Sequence, residues 1–127
     1  MFKYQKFITR QDLKDNPDTL YVFGDNLERV GLGGQAAEMR GEPNAVGIPT
    51  KRSPGMEEED FFDNSVECFR EFLAASFFDI VLLANWDGDV VWPEDGIGTG
   101  LAELKTRSPR IWDYICELEG NLAEAHS

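Results

Sequence analysis

Histidine is almost absent from this sequence, and cysteine is rare. The only histidine is His126, next to the last residue, and the only cysteines are Cys68 and Cys116. A single histidine at the chain end argues against histidine-based acid–base catalysis, Ser-His triads and histidine metal sites. The two cysteines show neither a CxxC pattern nor metal-ligand spacing, so we expect both to be reduced core residues. The sequence therefore predicts no metal site and no bound cofactor.

Basic side chains are also scarce. Twelve lysines and arginines stand against 24 aspartates and glutamates, which gives a formal net charge of −12. A field of this sign repels nucleic acid and anionic membranes, so direct nucleic-acid binding is not expected. A phosphate ligand is still compatible with it, because salt screens charges beyond about 8 Å and a pocket can have its own sign.

Long apolar runs are missing as well. No stretch reaches the roughly 20 apolar residues that a membrane helix needs, and the first residues do not read as a signal peptide. We therefore expect a cytoplasmic protein without membrane association. The length of 127 residues and the 42% hydrophobic content predict one globular domain over residues 1–127.

Strand and helix signals alternate along the chain. This alternation predicts a three-layer α/β/α sandwich with a mixed, mostly parallel sheet. Strands are expected over residues 2–8, 20–24, 45–48, 80–84 and 90–92. Helices are expected over residues 9–15, 34–40, 57–76 and 108–119.

The stretch YVFGDNLERVGLGGQAAEMRG, from Tyr21 to Gly41, places a glycine-rich loop between a predicted strand and a predicted helix. A loop with few Cβ atoms can turn its N–H groups toward one point and let a ligand approach closely. A helix that begins just after the loop would add the positive end of its dipole. Together these features predict an anion site that needs no lysine.

A second glycine-rich loop, Gly96-Ile97-Gly98-Thr99-Gly100, follows the strand predicted over residues 90–92. In α/β sheets the ligand crevice lies at the carboxyl ends of the strands, so two such loops could clasp a diphosphate, with Thr99 offering a hydroxyl. The G-x-G-G order of the first loop, from Gly31 to Gly34, matches neither the dinucleotide fingerprint nor the P-loop. Ordinary turns and close helix packing are the alternative interpretation.

Polar residues follow two of the predicted strands. Asp25 and Asn26 either start a turn or contact the hydroxyl and amine groups of a ligand. Thr50, Lys51 and Arg52 end the next strand, and solvated loop charges are the favoured interpretation for Lys51 and Arg52. The candidate ligand-binding residues are Gly24, Asp25, Asn26, Gly31, Gly33, Gly34, Gln35, Thr50, Lys51, Gly96, Ile97, Gly98, Thr99 and Gly100.

Two tryptophans and an acidic segment add further alternatives. Trp86 or Trp92 could stack on a base, but cross-strand packing is the more common role of such residues. The segment between Met56 and Asp79 holds eight acidic residues and one basic residue. We favour a solvated helix face there, with a partner-binding surface as the alternative.

The segments VFGDNL, GLGGQAAEM, VGIPTK and GIGTGLAEL resemble the small macro-like proteins of bacteriophages and bacteria, relatives of the ADP-ribose-binding macro domain. The resemblance covers roughly residues 21–104. It implies a macro-type sandwich that binds ADP-ribose, with Asn26 at the distal ribose and the two glycine loops around the diphosphate. A phage origin would place the protein in the cytoplasm of an infected bacterial host.

Three functional hypotheses follow. The first is a reader or sponge for an ADP-ribose-like or other NAD-derived nucleotide. The second is a hydrolase acting on ADP-ribosylated protein or nucleic acid, with Asn26 orienting the ribose and Asp25 or a water as base. The third is an acidic interaction protein that masks a basic partner surface.

Overall fold

The computed structural model describes all 127 residues of the chain. Helices and strands alternate as far as the last strand, which two helices follow, and a single 3-10 turn lies at Glu58–Asp60. The elements are β1 (Phe2–Gln5), α1 (Arg10–Asp15), β2 (Leu20–Asn26), α2 (Ala36–Met39), β3 (Ala45–Lys51), α3 (Val66–Asn85), β4 (Val90–Pro93), α4 (Leu104–Arg107) and α5 (Pro109–Ala125).

The four strands form one sheet in the order β1-β4-β2-β3. All three pairings are parallel, so the predicted α/β class is confirmed and the sheet contains no antiparallel pair. The last strand in the chain, β4, is inserted between the first two. As a result, the carboxyl ends of β2 and β4 lie side by side, although about 70 residues separate the paired Tyr21 and Val91.

Helices cover both faces of the sheet. On one face, α3 and α5 pack against alternate strand residues, and buried side chains such as Phe72, Trp92 and Ile111 form the larger core. On the other face, Phe23 packs with α1 and α2 in a smaller core that includes Met39. The helices that follow β2 and β4 therefore lie on opposite faces, an arrangement that opens a crevice between the ends of these two strands.

The apolar stretch at residues 80–84 was expected to be a strand, and this prediction was wrong. These residues form the last turns of α3, in which Val81 and Leu82 are 42% exposed. A short apolar run cannot be assigned to strand or helix by periodicity alone. Here the helix begins at Ser65, whose hydroxyl accepts from the Cys68 amide, and neither glycine nor proline interrupts it before Trp86.

Several predicted boundaries also shift. The helix expected over residues 57–76 divides into the 3-10 turn and α3. Pro49 does not end its strand, because β3 lies at the sheet edge, where a missing N–H is tolerated. Gly120 lies inside α5 rather than after it. Cys68 is buried as expected, whereas Cys116 is exposed, contrary to the prediction.

Two classes of feature are absent from the structure. No helix combines the length and the apolar character that a bilayer crossing requires. No three or more histidine, cysteine, aspartate or glutamate side chains come together in a way that could hold a metal ion.

Candidate functional site

A cleft of about 220 Å³ opens at the carboxyl ends of β2, β3 and β4. Two segments form opposite walls: residues 27–35 after β2, called here the first glycine loop, and residues 94–103 after β4, the second glycine loop. All fourteen residues that the sequence proposed as ligand contacts line this cleft. The lining residues that sequence reasoning missed are Val30, Ala36, Arg40, Pro54, Pro93, Leu101 and Ala102.

Gly24 is the point where the cleft walls meet. A Cβ atom at this position would lie 3.2 Å from the Thr50 Oγ1 and 3.5 Å from the Gly98 amide nitrogen. The end of β2 therefore touches both the end of β3 and the second glycine loop. The Thr50 hydroxyl donates to the carbonyl of Asp25 at 3.2 Å, which ties the two strand ends together.

The second glycine loop presents an uninterrupted run of backbone donors. The six N–H groups from residue 97 to residue 102 donate to no acceptor in the protein, and all six residues line the cleft. Gly96 and Gly98 have φ angles of +82° and +75°, with Ile97 at negative φ between them. Such an alternation turns successive N–H groups toward one side and forms a concavity suited to an anion.

The first glycine loop has the same property. The six N–H groups from residue 30 to residue 35 also lack a protein acceptor, and five of these six residues line the cleft. Gly31 and Gly34 have φ angles of +94° and +57°. Side-chain-free backbone is required at Gly31 for a second reason, since a Cβ there would lie 3.2 Å from Pro54.

The predicted contribution of a helix dipole does not hold. The helix after the first glycine loop, α2, is only four residues long, from Ala36 to Met39. The macrodipole is a sum over aligned peptide units, so a single turn adds little to the field. The helix dipole is therefore not what would make this end of the cleft suitable for an anion.

Asp25 lies beneath the first glycine loop with only 3% of its side chain exposed. Its Oδ1 accepts from Arg40 Nη2 at 2.5 Å and from the Asn26 amide at 2.8 Å, while its Oδ2 accepts from Arg40 Nη1 at 3.2 Å. Paired N–H donors of this kind form the strongest carboxylate contacts. Because both oxygens already accept hydrogen bonds, this geometry favours a positioning role for Asp25 over the proton transfer proposed from the sequence.

Arg40 links this carboxylate to the loop above it. Its Nε donates to the Gly31 carbonyl at 2.7 Å, and its Nη2 donates to the Val30 carbonyl at 3.2 Å. Arg29 holds the other end of the loop, with a φ of +58° and hydrogen bonds to the Ala75 carbonyl and the Asp79 carboxylate. No sequence pattern marks Arg40, which resembles an ordinary last residue of a helix.

Lys51 lines the cleft, but its ammonium is already engaged. The Nζ donates to the Gly55 carbonyl and lies 4.6 Å from the centre of the Phe61 ring. The residue is only 8% exposed, and burial lowers the pKa of its ammonium. The expectation of a solvated loop charge was therefore wrong for Lys51. Arg52 is also paired, with the Glu71 carboxylate at 3.0 Å.

Two side-chain oxygens in the cleft wall have no hydrogen-bond donor. They are Asn26 Oδ1 and Gln35 Oε1, both of them buried. The orientation of the Asn26 amide is fixed because its Nδ2 donates to the Val30 carbonyl at 2.8 Å. Buried polar atoms without partners are uncommon, and each one in a cleft wall indicates where a ligand donor would fit.

The charge of the cleft differs from that of the whole protein. Its ionisable lining residues are Asp25, Arg40 and Lys51, so two positive charges face one negative charge. The acidic residues that give the whole chain its net charge of −12 lie mostly elsewhere on the surface, and they include exposed residues of the 3-10 turn. The cleft is therefore a locally positive region of an acidic protein, which suits an anionic ligand.

Neither candidate tryptophan lines the cleft. Trp92 is fully buried in the larger core, where its ring packs 6.1 Å from that of Phe2. Trp86 is partly buried, and its Nε1 donates to the Asp18 carbonyl at 2.9 Å. Trp92 packs across strands against Phe2 of β1, as the favoured interpretation held, whereas Trp86 follows α3 outside the strands, so the expectation of cross-strand packing was wrong for it.

The chain belongs to a family of unknown function, DUF7831, whose model matches residues 3–118. No macro-domain family matches the chain, so the resemblance to macro-like proteins was wrong. That resemblance depended on short segments around the two glycine loops, and such loops follow strands in many α/β proteins. No curated protein matches the chain, and no solved structure does.

Proposed function

We propose that the cleft binds a small nucleotide, with its phosphates between the two glycine loops and its sugar hydroxyls against Asn26 and Gln35. The observation that carries this proposal is the pair of six-residue runs of N–H groups without protein acceptors, in which eleven of the twelve residues line one cleft. A diphosphate has enough oxygens to accept hydrogen bonds from both runs.

The anionic part of the ligand follows from the donors and the charge. Left-handed glycines in each loop support the concave backbone that binds phosphate in other proteins. Arg40 and Lys51 make the cleft wall positive, although hydrogen bonds within the protein already hold both cations. The loop amides therefore supply the direct contacts, and the two cations supply the surrounding field.

The hydroxyl-bearing part of the ligand follows from the two unpartnered oxygens. Asn26 Oδ1 and Gln35 Oε1 would repel the oxygens of a bare phosphate but accept hydrogen bonds from hydroxyl or amine groups. A ligand that satisfies the whole cleft combines an anionic group with such donors. Nucleotides and sugar phosphates meet this requirement, whereas inorganic phosphate meets only half of it.

Binding without turnover is the better-supported form of this function. Both Asp25 oxygens are occupied, and the single histidine, His126, lies at the far end of α5, bonded to the Leu83 carbonyl. No side chain in the cleft is placed as a free general base. ADP-ribose, ADP and other nucleoside diphosphates are all members of the proposed ligand class.

Isothermal titration calorimetry with ADP-ribose, ADP and inorganic pyrophosphate tests the proposal. We expect saturable binding of at least one of the two nucleotides. Gly33→Val and Gly100→Val should each weaken it at least tenfold, because a Cβ at either glycine meets open space in the cleft rather than packed atoms. Gly120→Val is the matched control, since Gly120 is exposed on α5 and its surroundings are equally open.

Two results would contradict the proposal. The first is an absence of saturable binding for all three probes. The second is nucleotide binding that Gly33→Val and Gly100→Val weaken no more than Gly120→Val does. Release of a product from ADP-ribosylated substrates would instead restore the hydrolase hypothesis.

A further inference from the structure

Two exposed aliphatic side chains stand at the mouth of the cleft, one from each glycine loop. Val30 is 47% exposed and Leu101 is 64% exposed, and both residues line the cleft. Neither side chain belongs to either of the two hydrophobic cores. Each of the two glycine loops therefore contributes one exposed aliphatic side chain to the lining of the cleft, and this pair is called the rim here.

The volume of the cleft indicates which part of a bound nucleotide would lie at this rim. Its volume of about 220 Å³ is below the roughly 300 Å³ at which pockets for drug-sized ligands begin. A nucleotide whose phosphates and sugar occupy the polar interior would therefore extend its base to the mouth. The base would arrive between Val30 and Leu101.

The chemistry of the rim suits the faces of a base better than its edges. No aromatic side chain lines the cleft, and the two tryptophans pack elsewhere. Aliphatic groups can cover the flat faces of a base and exclude water from them. They offer no hydrogen bonds by which adenine could be told from guanine or uracil.

We propose that Val30 and Leu101 form a clamp that holds the nucleobase of the ligand by its two faces without selecting its identity. This inference rests on the proposed nucleotide-binding function and adds the part of the ligand that the glycine loops do not contact. It assigns the site to nucleotides in general rather than to sugar phosphates, and it predicts similar affinities for ADP, GDP and UDP.

Leu32 provides a matched control for the experiment. It lies on the same loop as Val30 and is 67% exposed, but it does not line the cleft. The test measures the Kd of ADP and of inorganic pyrophosphate for the native chain and for Val30→Ser, Leu101→Ser and Leu32→Ser, and the Kd of GDP and of UDP for the native chain. Thermal unfolding of each variant verifies that these exposed substitutions leave the fold intact.

We expect Val30→Ser and Leu101→Ser each to weaken ADP binding about tenfold, the effect of losing one buried aliphatic contact. Pyrophosphate binding should stay within about twofold of native for all variants, and Leu32→Ser should leave both ligands unaffected.

Three outcomes would overturn the clamp. In the first, Val30→Ser and Leu101→Ser reduce ADP binding no more than Leu32→Ser does. In the second, they weaken ADP and pyrophosphate equally, which would mean that they only shape the loops. In the third, the native chain prefers one base more than tenfold. A native chain that binds neither probe would overturn the proposed function, and this inference with it.

Discussion

The two glycine loops offer similar backbone donors to the cleft, yet different forces hold them in place. Ion pairs and charge-assisted hydrogen bonds anchor the first loop, through the Asp25 carboxylate and the Arg40 guanidinium. Apolar packing anchors the second loop, because Ile97 and Leu104 are 4% and 1% exposed within the larger core. Similar backbone donors are thus held in place by ion pairs in the first loop and by apolar packing in the second.

Because of this difference, different kinds of substitution should destabilise the two loops. A buried ion pair is sensitive to the loss of either partner, since the remaining charge is left without compensation. A packed segment is sensitive instead to added volume and to backbone strain, because interiors have few voids. Substitutions chosen for one kind of attachment should disturb one loop and spare the other.

The largest effect is expected at the ionic attachment. Arg40→Met removes the bidentate partner of a carboxylate that is only 3% exposed and should cost about 3–5 kcal/mol of unfolding free energy. Urea denaturation measures this loss. Lys3→Met is the control, because the ion pair of Lys3 with Asp89 lies at the surface and its loss should cost far less.

Asp25→Asn should recover part of the stability lost in Arg40→Met, since it removes a buried charge whose one remaining ion pair, with Arg29, spans 3.7 Å. If Arg40→Met costs no more than Lys3→Met, the ionic attachment is not what holds the first loop.

A smaller effect is expected at the packed attachment. Gly98→Ala forces an alanine to adopt a φ of +75° and places its Cβ 2.8 Å from the Leu104 Cδ2, so we expect a loss of about 2–3 kcal/mol. Gly100→Ala is the control in the same loop, because Gly100 has a negative φ and no atom within 4 Å of the added Cβ. Equal unfolding midpoints for the two variants would refute this description of the second loop.

The smallest effect separates two neighbouring glycines of the first loop. Gly34 has a φ of +57°, so alanine there should cost about 1–2 kcal/mol. Gly33 has a negative φ and open surroundings, so Gly33→Ala should be neutral or stabilise the protein by up to about 1 kcal/mol. Thermal unfolding of both variants measures the difference, and a reversed order would mean that backbone strain does not shape this loop.

The sequence predicted the residues that line the cleft more completely than it predicted the fold around them. Glycine loops and polar residues at strand ends are local signals, and the residues that carry them come together because parallel strands end at one edge of a sheet. Residues as distant in the chain as Gly31 and Gly98 can therefore be assigned to one cleft from the sequence alone, without the strand order.

Other features depend on partners that no local pattern displays. Arg40 acquires its role from Asp25, a residue on another element, and neither one marks the other in the sequence. The apolar run at 80–84 fits a strand and a helix equally well. It is helical because α3, which begins before it, continues through it. Family membership likewise could not be inferred from short glycine-containing segments, which unrelated proteins share.

The late position of β4 in the chain has a consequence for the order in which the protein is made. A ribosome releases β1, β2 and β3 before the strand that must lie between the first two. Until residues 90–93 emerge, β1 lacks its only neighbour in the sheet and the cleft lacks one wall. A nascent or truncated chain that ends before β4 therefore has neither the complete sheet nor the complete cleft, and both can form only after synthesis has passed this strand.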